Sequence, residues 1–306
     1  MPLVDTDAPE AERLTITSPN GSTLAAFRHR ANADAPIVIC ESGLGGDHYA
    51  WDSVLALIRP WATVITYDRA GYGESPPQRS RRLSDLAIDL SAVVTTASEG
   101  RPVFLAGHSM GGRISRAAAS RLPAQQVAGV LLIEGATDDV VRDFPRIDQS
   151  QRRFLRLAGL LCPLGLTHLP AVRRQVARML GAAPQAASTT RALVAMARRS
   201  TWITAYQEWM TMHESMPQQR SDLRAVGLIA SAWTSSSSRQ DRRLGVSNAD
   251  LLNYIEADFH RHFPDGTLHR VDGTGHNIQG DRPDVVAAAL RELIGLPATD
   301  AVHADD

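Results

Sequence analysis

A serine in a glycine-rich segment is the residue of this sequence best suited to nucleophilic chemistry. The segment Gly107-His108-Ser109-Met110-Gly111 follows a short apolar run, Pro102–Ala106, and precedes a stretch rich in helix-forming residues, Arg113–Ala119. Glycines beside a serine permit a sharp strand-to-helix turn, which lifts the hydroxyl clear of a sheet and directs the free N–H groups of the helix start towards it. We therefore predict that Ser109 is a catalytic nucleophile; an ordinary glycine-rich turn is the alternative.

A histidine near the end of the chain is the candidate base. A serine hydroxyl is a weak nucleophile, so it needs a base to take its proton and a third group to orient that base. His276 follows the apolar run Leu268–Val271 and a glycine-rich turn, and it precedes a final helix candidate, Pro283–Ile294. A loop after the last strand can carry an imidazole to Ser109, so we predict that His276 is the base.

Three residues could supply the acidic member of the set. Glu134 directly follows the buried-strand candidate Val127–Ile133, and catalytic groups collect at the carboxyl ends of parallel strands. A carboxylate there is costly unless it is paired. We predict that Glu134 orients His276, with Asp138 and Asp241 as alternatives; a salt bridge from Glu134 to an arginine is the non-catalytic interpretation.

Two backbone N–H groups are predicted to stabilise a developing oxyanion. One belongs to Met110, which directly follows the nucleophile, and the other to Leu44, in the glycine-rich loop 41–46. Four further side chains are candidates for substrate contact, with packing of the protein core as the alternative for each: His48, Trp51, Trp202 and Tyr206.

Apolar runs and helical stretches alternate along most of the chain. Such alternation predicts an α/β fold with a mostly parallel sheet flanked by helices. The strand candidates are Leu24–Phe27, Ile37–Cys40, Val64–Tyr67, Val103–Ala106, Val127–Ile133, Val226–Ala230 and Leu268–Val271, and helices are predicted at Leu83–Ser98, Arg113–Arg121 and Pro283–Ile294.

One long segment interrupts this alternation. Residues 140–220 contain no strand candidate, are helical in composition and carry 12 arginines against four acidic residues. We predict an inserted helical cap over residues 140–220, with residues 1–139 and 221–306 forming the core domain. The basic cap suits either a solvated arginine face or the docking of an anionic substrate or acidic carrier protein.

Composition excludes several other classes of protein. The net charge of −1 and the lack of a recognised motif argue against nucleic-acid binding. No apolar run is long enough for a membrane span and the first residues do not resemble a signal peptide, so we expect a cytoplasmic protein. The two cysteines, Cys40 and Cys162, are expected to be buried thiols. No metal-ligand cluster or phosphate-binding loop is evident, so neither a metal nor a cofactor is predicted.

Together these residues resemble the α/β-hydrolase superfamily over nearly the whole chain, and the resemblance implies the fold of that superfamily, with a mostly parallel sheet of eight strands. The resemblance lies in Ser42-Gly43-Leu44-Gly45, in the turn Asp68-Arg69-Ala70-Gly71-Tyr72-Gly73-Glu74-Ser75, in the segment around Ser109, and in Gly275-His276. In having a glutamate at the position of Glu134, the chain is similar to one group of haloalkane dehalogenases and to lactone hydrolases of the zearalenone-hydrolase type. Dehalogenases and epoxide hydrolases of the superfamily use an aspartate nucleophile, so the serine favours acyl transfer.

The resemblance implies a serine hydrolase that cleaves a carboxylic ester or lactone of a mainly apolar small molecule through an acyl-enzyme. Alternatives are a thioesterase, cyclase or acyltransferase on carrier-bound chains, a carbon–carbon bond hydrolase, and a ligand-binding protein that has lost catalysis. The sequence indicates neither the substrate nor the oligomeric state.

Overall fold

Eight strands form one sheet in the computed structural model. They are β1 (Glu12–Thr17), β2 (Thr23–His29), β3 (Ile37–Glu41), β4 (Thr63–Tyr67), β5 (Val103–His108), β6 (Val127–Ile133), β7 (Arg224–Ala230) and β8 (Thr267–Val271). Their spatial order is β1-β2-β4-β3-β5-β6-β7-β8. The β1–β2 and β2–β4 pairs are antiparallel, and every other pair is parallel. The predicted fold class is confirmed.

The structure describes residues 11–78, 81–135, 139–165, 169–179, 187–220, 222–230 and 247–297. The two alternatives to Glu134 as the acid, Asp138 and Asp241, lie outside these residues. None of the helices within these ranges is long and apolar enough to cross a membrane. Cys40 and Cys162 are free and buried, as predicted.

Helices cover both faces of the sheet and fill the chain between β6 and β7. They are α1 (Asp52–Ile58), α2 (Leu83–Ala97), α3 (Met110–Ala119), α4 (Val140–Asp143), α5 (Pro145–Leu161), α6 (Pro170–Met179), α7 (Ala187–Met196), α8 (Arg199–Met210), α9 (Asn248–His262), α10 (Ile278–Asp281) and α11 (Pro283–Ile294). Helices α2, α3 and α9 pack on one face of the sheet, and α1, α10 and α11 pack on the other.

The central strands are apolar at nearly every position because both of their faces are covered. All five residues of β3 and all five of β4 are buried. Strand β1, by contrast, is an edge strand in which only Ile16 is buried. Its weak apolar pattern is the reason that this strand was not among the candidates read from the sequence.

Helices α4 to α8 form a single insertion between β6 and β7, which we call the insertion. Within it, the indole N–H of Trp209 donates to Asp148 over 2.8 Å, which links α8 to α5. The insertion also contacts the rest of the chain, because the Arg191 guanidinium of α7 lies 2.5 Å from the Asp52 carboxylate at the start of α1. That the insertion is a separate cap domain bounded at residues 140 and 220 stays a prediction.

The turn after β4 is built around a fully buried aspartate. One oxygen of Asp68 accepts from the backbone N–H of His48 over 2.8 Å, and the other accepts from the N–H of Glu74 over 2.9 Å. Gly73 has a φ of +49°, and a Cβ at this position would lie 2.1 Å from an Asp68 oxygen. Only glycine therefore fits between this carboxylate and the turn.

Replacing Gly73 with alanine should destabilise the protein by about 3 kcal/mol, because backbone strain at a positive φ adds to a clash with a buried carboxylate. Gly100 is the matched control, since its φ is +78° but a Cβ there would meet no atom within 4 Å. Gly100→Ala should cost only about 1 kcal/mol. Urea unfolding of both variants measures the difference; equal losses would show that the clash with Asp68 contributes nothing.

Candidate active site

The backbone of Ser109 is strained in the way that a sharp strand-to-helix turn requires. Its φ is +52° and its ψ is −121°, a conformation that residues other than glycine seldom adopt. The Ser109 N–H donates to the Ile133 carbonyl over 2.8 Å, and the N–H of Gly112 donates to the Ser109 carbonyl over 2.9 Å. These bonds fix Ser109 between the end of β5 and the first turn of α3, as the sequence predicted for this turn.

Both glycines of the serine segment are required by close backbone approaches. A Cβ on Gly107 would lie 2.6 Å from the carbonyl oxygen of Gly111, on the far side of the turn. A Cβ on Gly111 would lie 2.4 Å from the carbonyl oxygen of Glu41 and 2.7 Å from that of Ser42. The start of α3 therefore packs directly on the backbone that leaves β3, which brings the loop of Leu44 beside the serine turn.

The structure brings the predicted base and the predicted acid together. The Nδ1 atom of His276 lies 3.3 Å from an Oε atom of Glu134, although 142 residues separate them in the chain. The Glu134 side chain is 2% exposed, whereas that of His276 is 44% exposed. The carboxylate is thus held inside the protein while the imidazole reaches the surface of a site.

Hydrogen bonds to the neighbouring strand fix both the backbone and the side chain of Glu134. Its φ is +47°, so its backbone, like that of Ser109, is left-handed. Its N–H donates to the Leu228 carbonyl over 2.7 Å, and its second carboxylate oxygen accepts from the N–H of Ala230. Because both partners belong to β7, the neighbouring strand sets the direction of the carboxylate.

The loop that carries His276 is organised by a second acid. One Asp281 oxygen accepts from the Thr274 hydroxyl and from the Gly275 N–H, each over 3.0 Å. Asp281 belongs to the short helix α10, which directly follows the loop. Asp281 is not among the site residues predicted from the sequence, where its position five residues after His276 was the available signal.

The contact with Glu134 also favours one tautomer of His276. A proton on Nδ1 can be donated to the carboxylate, which leaves the Nε2 lone pair free to accept a proton from a nucleophile. An imidazole held in this tautomer is suited to general-base activation of a serine hydroxyl.

His108, next to the serine, joins the two loops that flank the site. Its Nε2 atom lies 2.9 Å from the His276 carbonyl oxygen, and the two imidazole rings are 4.9 Å apart. A Cβ on Gly43 would lie 2.6 Å from its Nδ1 atom, so this ring also packs against the loop of Leu44. Burial, together with the nearby His276 charge, lowers the pKa of His108 to about 3. His108 is therefore a neutral positioning group rather than a second base.

Met110 and Leu44, the two predicted oxyanion donors, belong to the backbone segments that pack together at the serine turn. Met110 is the first residue of α3, and the N–H groups of a first helical turn have no acceptor within the helix. Leu44 follows β3 in the loop that packs on Gly111. Within the described ranges, neither N–H donates a hydrogen bond to another protein group. Their role as an oxyanion hole stays a prediction.

Two of the four predicted substrate contacts have partners inside the core. The ring of His48 hydrogen-bonds the Asp68 carboxylate over 2.8 Å and stacks on Phe27 at a centroid distance of 3.9 Å. Trp51 is 1% exposed, and its indole N–H donates to the Ser42 hydroxyl over 3.1 Å. These contacts account for both side chains as supports of the loop that contains Leu44.

The other two predicted contacts lie on α8. The Trp202 indole N–H donates to the Met196 carbonyl over 2.8 Å, and its ring meets Phe154 edge to face. The Tyr206 hydroxyl accepts from Arg156 over 2.5 Å, which ties α8 to α5. Contact of either aromatic residue with a substrate stays a prediction.

A buried cluster of charges beside the site was not anticipated as functional. Arg69 belongs to the turn Asp68–Ser75 that contributes to the family resemblance, and its guanidinium contacts Glu41 at the end of β3 and Glu208 on α8. All three side chains are 1% exposed or less. The available signal was a charged residue, Glu41, at the end of a fully buried strand. Among the described residues, no group of three His, Cys, Asp or Glu side chains is placed to hold a metal ion.

The sheet order, the strained serine turn and the loop of His276 agree with a match to a known family. Residues 37–289, well over half of the chain, match the sequence profile of the alpha/beta hydrolase family. The chain therefore belongs to the alpha/beta hydrolase family and is an enzyme of that superfamily.

Several known proteins are similar to this chain. YqjL, an uncharacterized protein of Bacillus subtilis (strain 168), is 26% identical over 194 residues, which cover 62% of this chain and 73% of YqjL. The 3-oxoadipate enol-lactonase 1 of Acinetobacter baylyi is 29% identical over 103 residues, only 34% of this chain and 38% of that enzyme. A thermophilic esterase from Thermogutta terrifontis has a similar fold, with a TM-score of 0.64 and 18% identity over 93% of this chain and 98% of the esterase.

The neutral, buried His108 should make the protein acid-sensitive. An unfolded histidine has a pKa near 6.5, so unfolding binds one additional proton between about pH 6 and pH 3. The stabilisation is complete above the unfolded pKa and is lost as the pH falls towards about 3, at up to about 1.4 kcal/mol per pH unit. His108→Gln, whose amide can still donate to the His276 carbonyl, should show a shallower loss between pH 7 and pH 4.5 in urea unfolding.

The exposed histidine His260 provides the control for this experiment. His260→Gln should keep the pH dependence of the unaltered protein. Parallel stability curves for His108→Gln and the unaltered protein would contradict a neutral, buried His108.

Proposed function

We propose that this chain is a serine hydrolase that cleaves a carboxylic ester or lactone of a mainly apolar small molecule through an acyl-enzyme. The observation that carries the proposal is the 3.3 Å approach of His276 Nδ1 to the buried Glu134 carboxylate. The same loop is tied to the residue before Ser109 by the bond between His108 and the His276 carbonyl.

The first half of the reaction forms the acyl-enzyme. His276 takes the proton of the Ser109 hydroxyl on Nε2 as the serine oxygen attacks the carbonyl carbon of the substrate. The electron pair of the carbonyl bond moves to its oxygen, where the N–H groups of Leu44 and Met110 stabilise the negative charge. Glu134 stabilises the imidazolium that forms and keeps its ring in place.

The second half releases the products. When the tetrahedral adduct collapses, the bond to the alcohol oxygen breaks and His276 gives its proton to the leaving alcohol. A water molecule then attacks the acyl-enzyme, with its proton passing to His276 and afterwards to Ser109. A carboxylic acid leaves and the enzyme is restored, so no cofactor is required by this chemistry.

A serine at the turn favours acyl transfer over the other reactions of the family. Opening of an epoxide or displacement of a halide needs a carboxylate nucleophile, because the ester that it forms with the substrate can then be hydrolysed. A serine would instead form an ether with the substrate, and an ether would not be hydrolysed. The partial similarity to an enol-lactonase and the fold shared with an esterase support an ester or lactone substrate.

The charge of the insertion favours a second candidate, acyl transfer or thioester hydrolysis on chains bound to an acidic carrier. Exposed arginines that could meet an anionic carrier occur on its helices and between them: Arg146, Arg153, Arg174, Arg198 and Arg199. Electrostatic attraction of this kind mainly raises association rates, so it should affect carrier-bound substrates more than free ones.

The first test is turnover by the unaltered protein and by Ser109→Ala on p-nitrophenyl esters of increasing chain length, lactones, and free and carrier-bound acyl thioesters. We expect hydrolysis of esters or lactones, and a loss of at least about 10³-fold in Ser109→Ala because the nucleophile is absent. Faster turnover of carrier-bound thioesters would favour the second candidate. Equal rates in both proteins would exclude a serine mechanism.

Glu134→Gln tests the identity of the acid. The amide keeps the size of the side chain but cannot stabilise an imidazolium, so kcat should fall by about 10²- to 10⁴-fold with little change in KM. Glu214→Gln is the control, because this glutamate of the insertion also accepts a backbone N–H, that of Leu83 at the start of α2, over 3.0 Å. Full activity of Glu134→Gln would transfer the role to Asp138 or Asp241.

A further inference from the structure

The buried charge cluster lies directly behind the loop that contains Leu44. Arg69, just after β4, is 1% exposed, and its charge is matched by Glu41 and by Glu208 of the insertion. Burial by itself would lower the pKa of Arg69, but the adjacent Glu41 carboxylate offsets this effect and raises it. The guanidinium therefore stays charged inside the protein.

All five N–H donors of Arg69 have an acceptor. Nη1 donates to a Glu41 oxygen over 2.6 Å and to the Ser42 carbonyl over 2.5 Å. Nε and Nη2 donate to the two oxygens of Glu208 over 3.0 and 2.9 Å, and Nη2 also donates to the Gly43 carbonyl over 2.8 Å. A guanidinium is planar and rigid, so this complete set of bonds fixes the orientation of its fork.

The bond to Gly43 has a direct consequence for the Leu44 N–H. The Gly43 carbonyl and the Leu44 N–H belong to the same planar peptide group and point in opposite directions. Holding the carbonyl against Arg69 therefore directs the N–H away from the charge cluster. A cation at the carbonyl oxygen also polarises the peptide group, which makes its N–H a stronger donor.

Glu208 supplies the part of this arrangement that the core cannot. It is fully buried, and besides two bonds from Arg69 it accepts from the Tyr72 hydroxyl over 2.9 Å and from Arg81. Without Glu208, two donors of Arg69 would be buried and unmatched, and the guanidinium could rotate to find other partners. Because Glu208 lies on α8, the orientation of Arg69 requires that the insertion is docked on the core.

We propose that Glu208 is a positioning residue for the oxyanion hole, acting through Arg69 on the peptide group between Gly43 and Leu44. Docking of the insertion thereby completes a donor that stabilises the transition state. This inference rests on the proposed serine mechanism, in which the Leu44 N–H stabilises the tetrahedral oxyanion.

The test compares Glu208→Gln with Asp148→Asn. Asp148 is the matched control because it is also a buried carboxylate of the insertion, but its partners are Arg152, Trp209 and His213. Three quantities are measured for each variant: kcat and KM on the best ester, the rate at which a fluorophosphonate labels Ser109, and the melting temperature.

We expect Glu208→Gln to lower kcat and the labelling rate by about 10- to 100-fold with KM changed less than threefold, because only the transition state and the phosphonate adduct carry the oxyanion. Asp148→Asn should lower the melting temperature but leave kcat unchanged. The inference would be overturned if both variants lost activity in the same proportion to their loss of melting temperature. It would also be overturned by an unchanged kcat in Glu208→Gln.

A milder variant covers the case in which Glu208→Gln does not fold. Tyr72→Phe removes one of the four hydrogen bonds that described residues donate to the Glu208 carboxylate, and it should lower kcat and labelling by about two- to tenfold. An unchanged labelling rate in Tyr72→Phe would overturn the inference. If the unaltered protein neither turns over esters nor reacts with the fluorophosphonate, the serine mechanism itself fails. Equal labelling of the unaltered protein and all variants would instead leave the serine mechanism intact and overturn only the role of Glu208.

Discussion

The close packing of the serine turn on the end of β3 determines how the whole site is arranged. Gly111 approaches the carbonyls of Glu41 and Ser42 so closely that no Cβ would fit, so the first turn of α3 and the loop of Leu44 share one edge of the sheet. Any residue larger than glycine would separate the serine turn from the loop. Two backbone segments, rather than side chains, therefore define the spacing between Ser109 and the loop of Leu44.

Backbone strain occurs at two strand ends that neighbour each other in the sheet. Ser109 follows β5 and Glu134 follows β6, and both have a positive φ. A left-handed residue costs on the order of 1–3 kcal/mol, so surrounding bonds must hold it. The bonds here are to the next strand in each case, from Ser109 to Ile133 and from Glu134 to Leu228. The stability of the sheet thus holds Ser109 and Glu134 in backbone conformations that neither would adopt alone.

Buried charge is the second recurring theme of the site. Isolated ions inside a protein are costly, but each ion of the cluster around Arg69 has several charged or polar partners. Replacement of such a cluster by apolar residues is often no less stable, so stability alone does not account for it. Its geometry does offer an account, since a fixed guanidinium orients the backbone carbonyls of Ser42 and Gly43.

The sequence was sufficient for the fold class, because buried parallel strands are continuous apolar runs, and for the serine turn, because a close backbone approach needs glycine at Gly107 and Gly111. It also named Glu134 and His276 as partners. The sequence could not show that the Glu134 carboxylate lies 3.3 Å from His276 Nδ1, nor that Glu208 reaches Arg69 across 139 residues. Local patterns encode periodicity and turn chemistry, whereas contacts between distant segments exist only once the chain has folded.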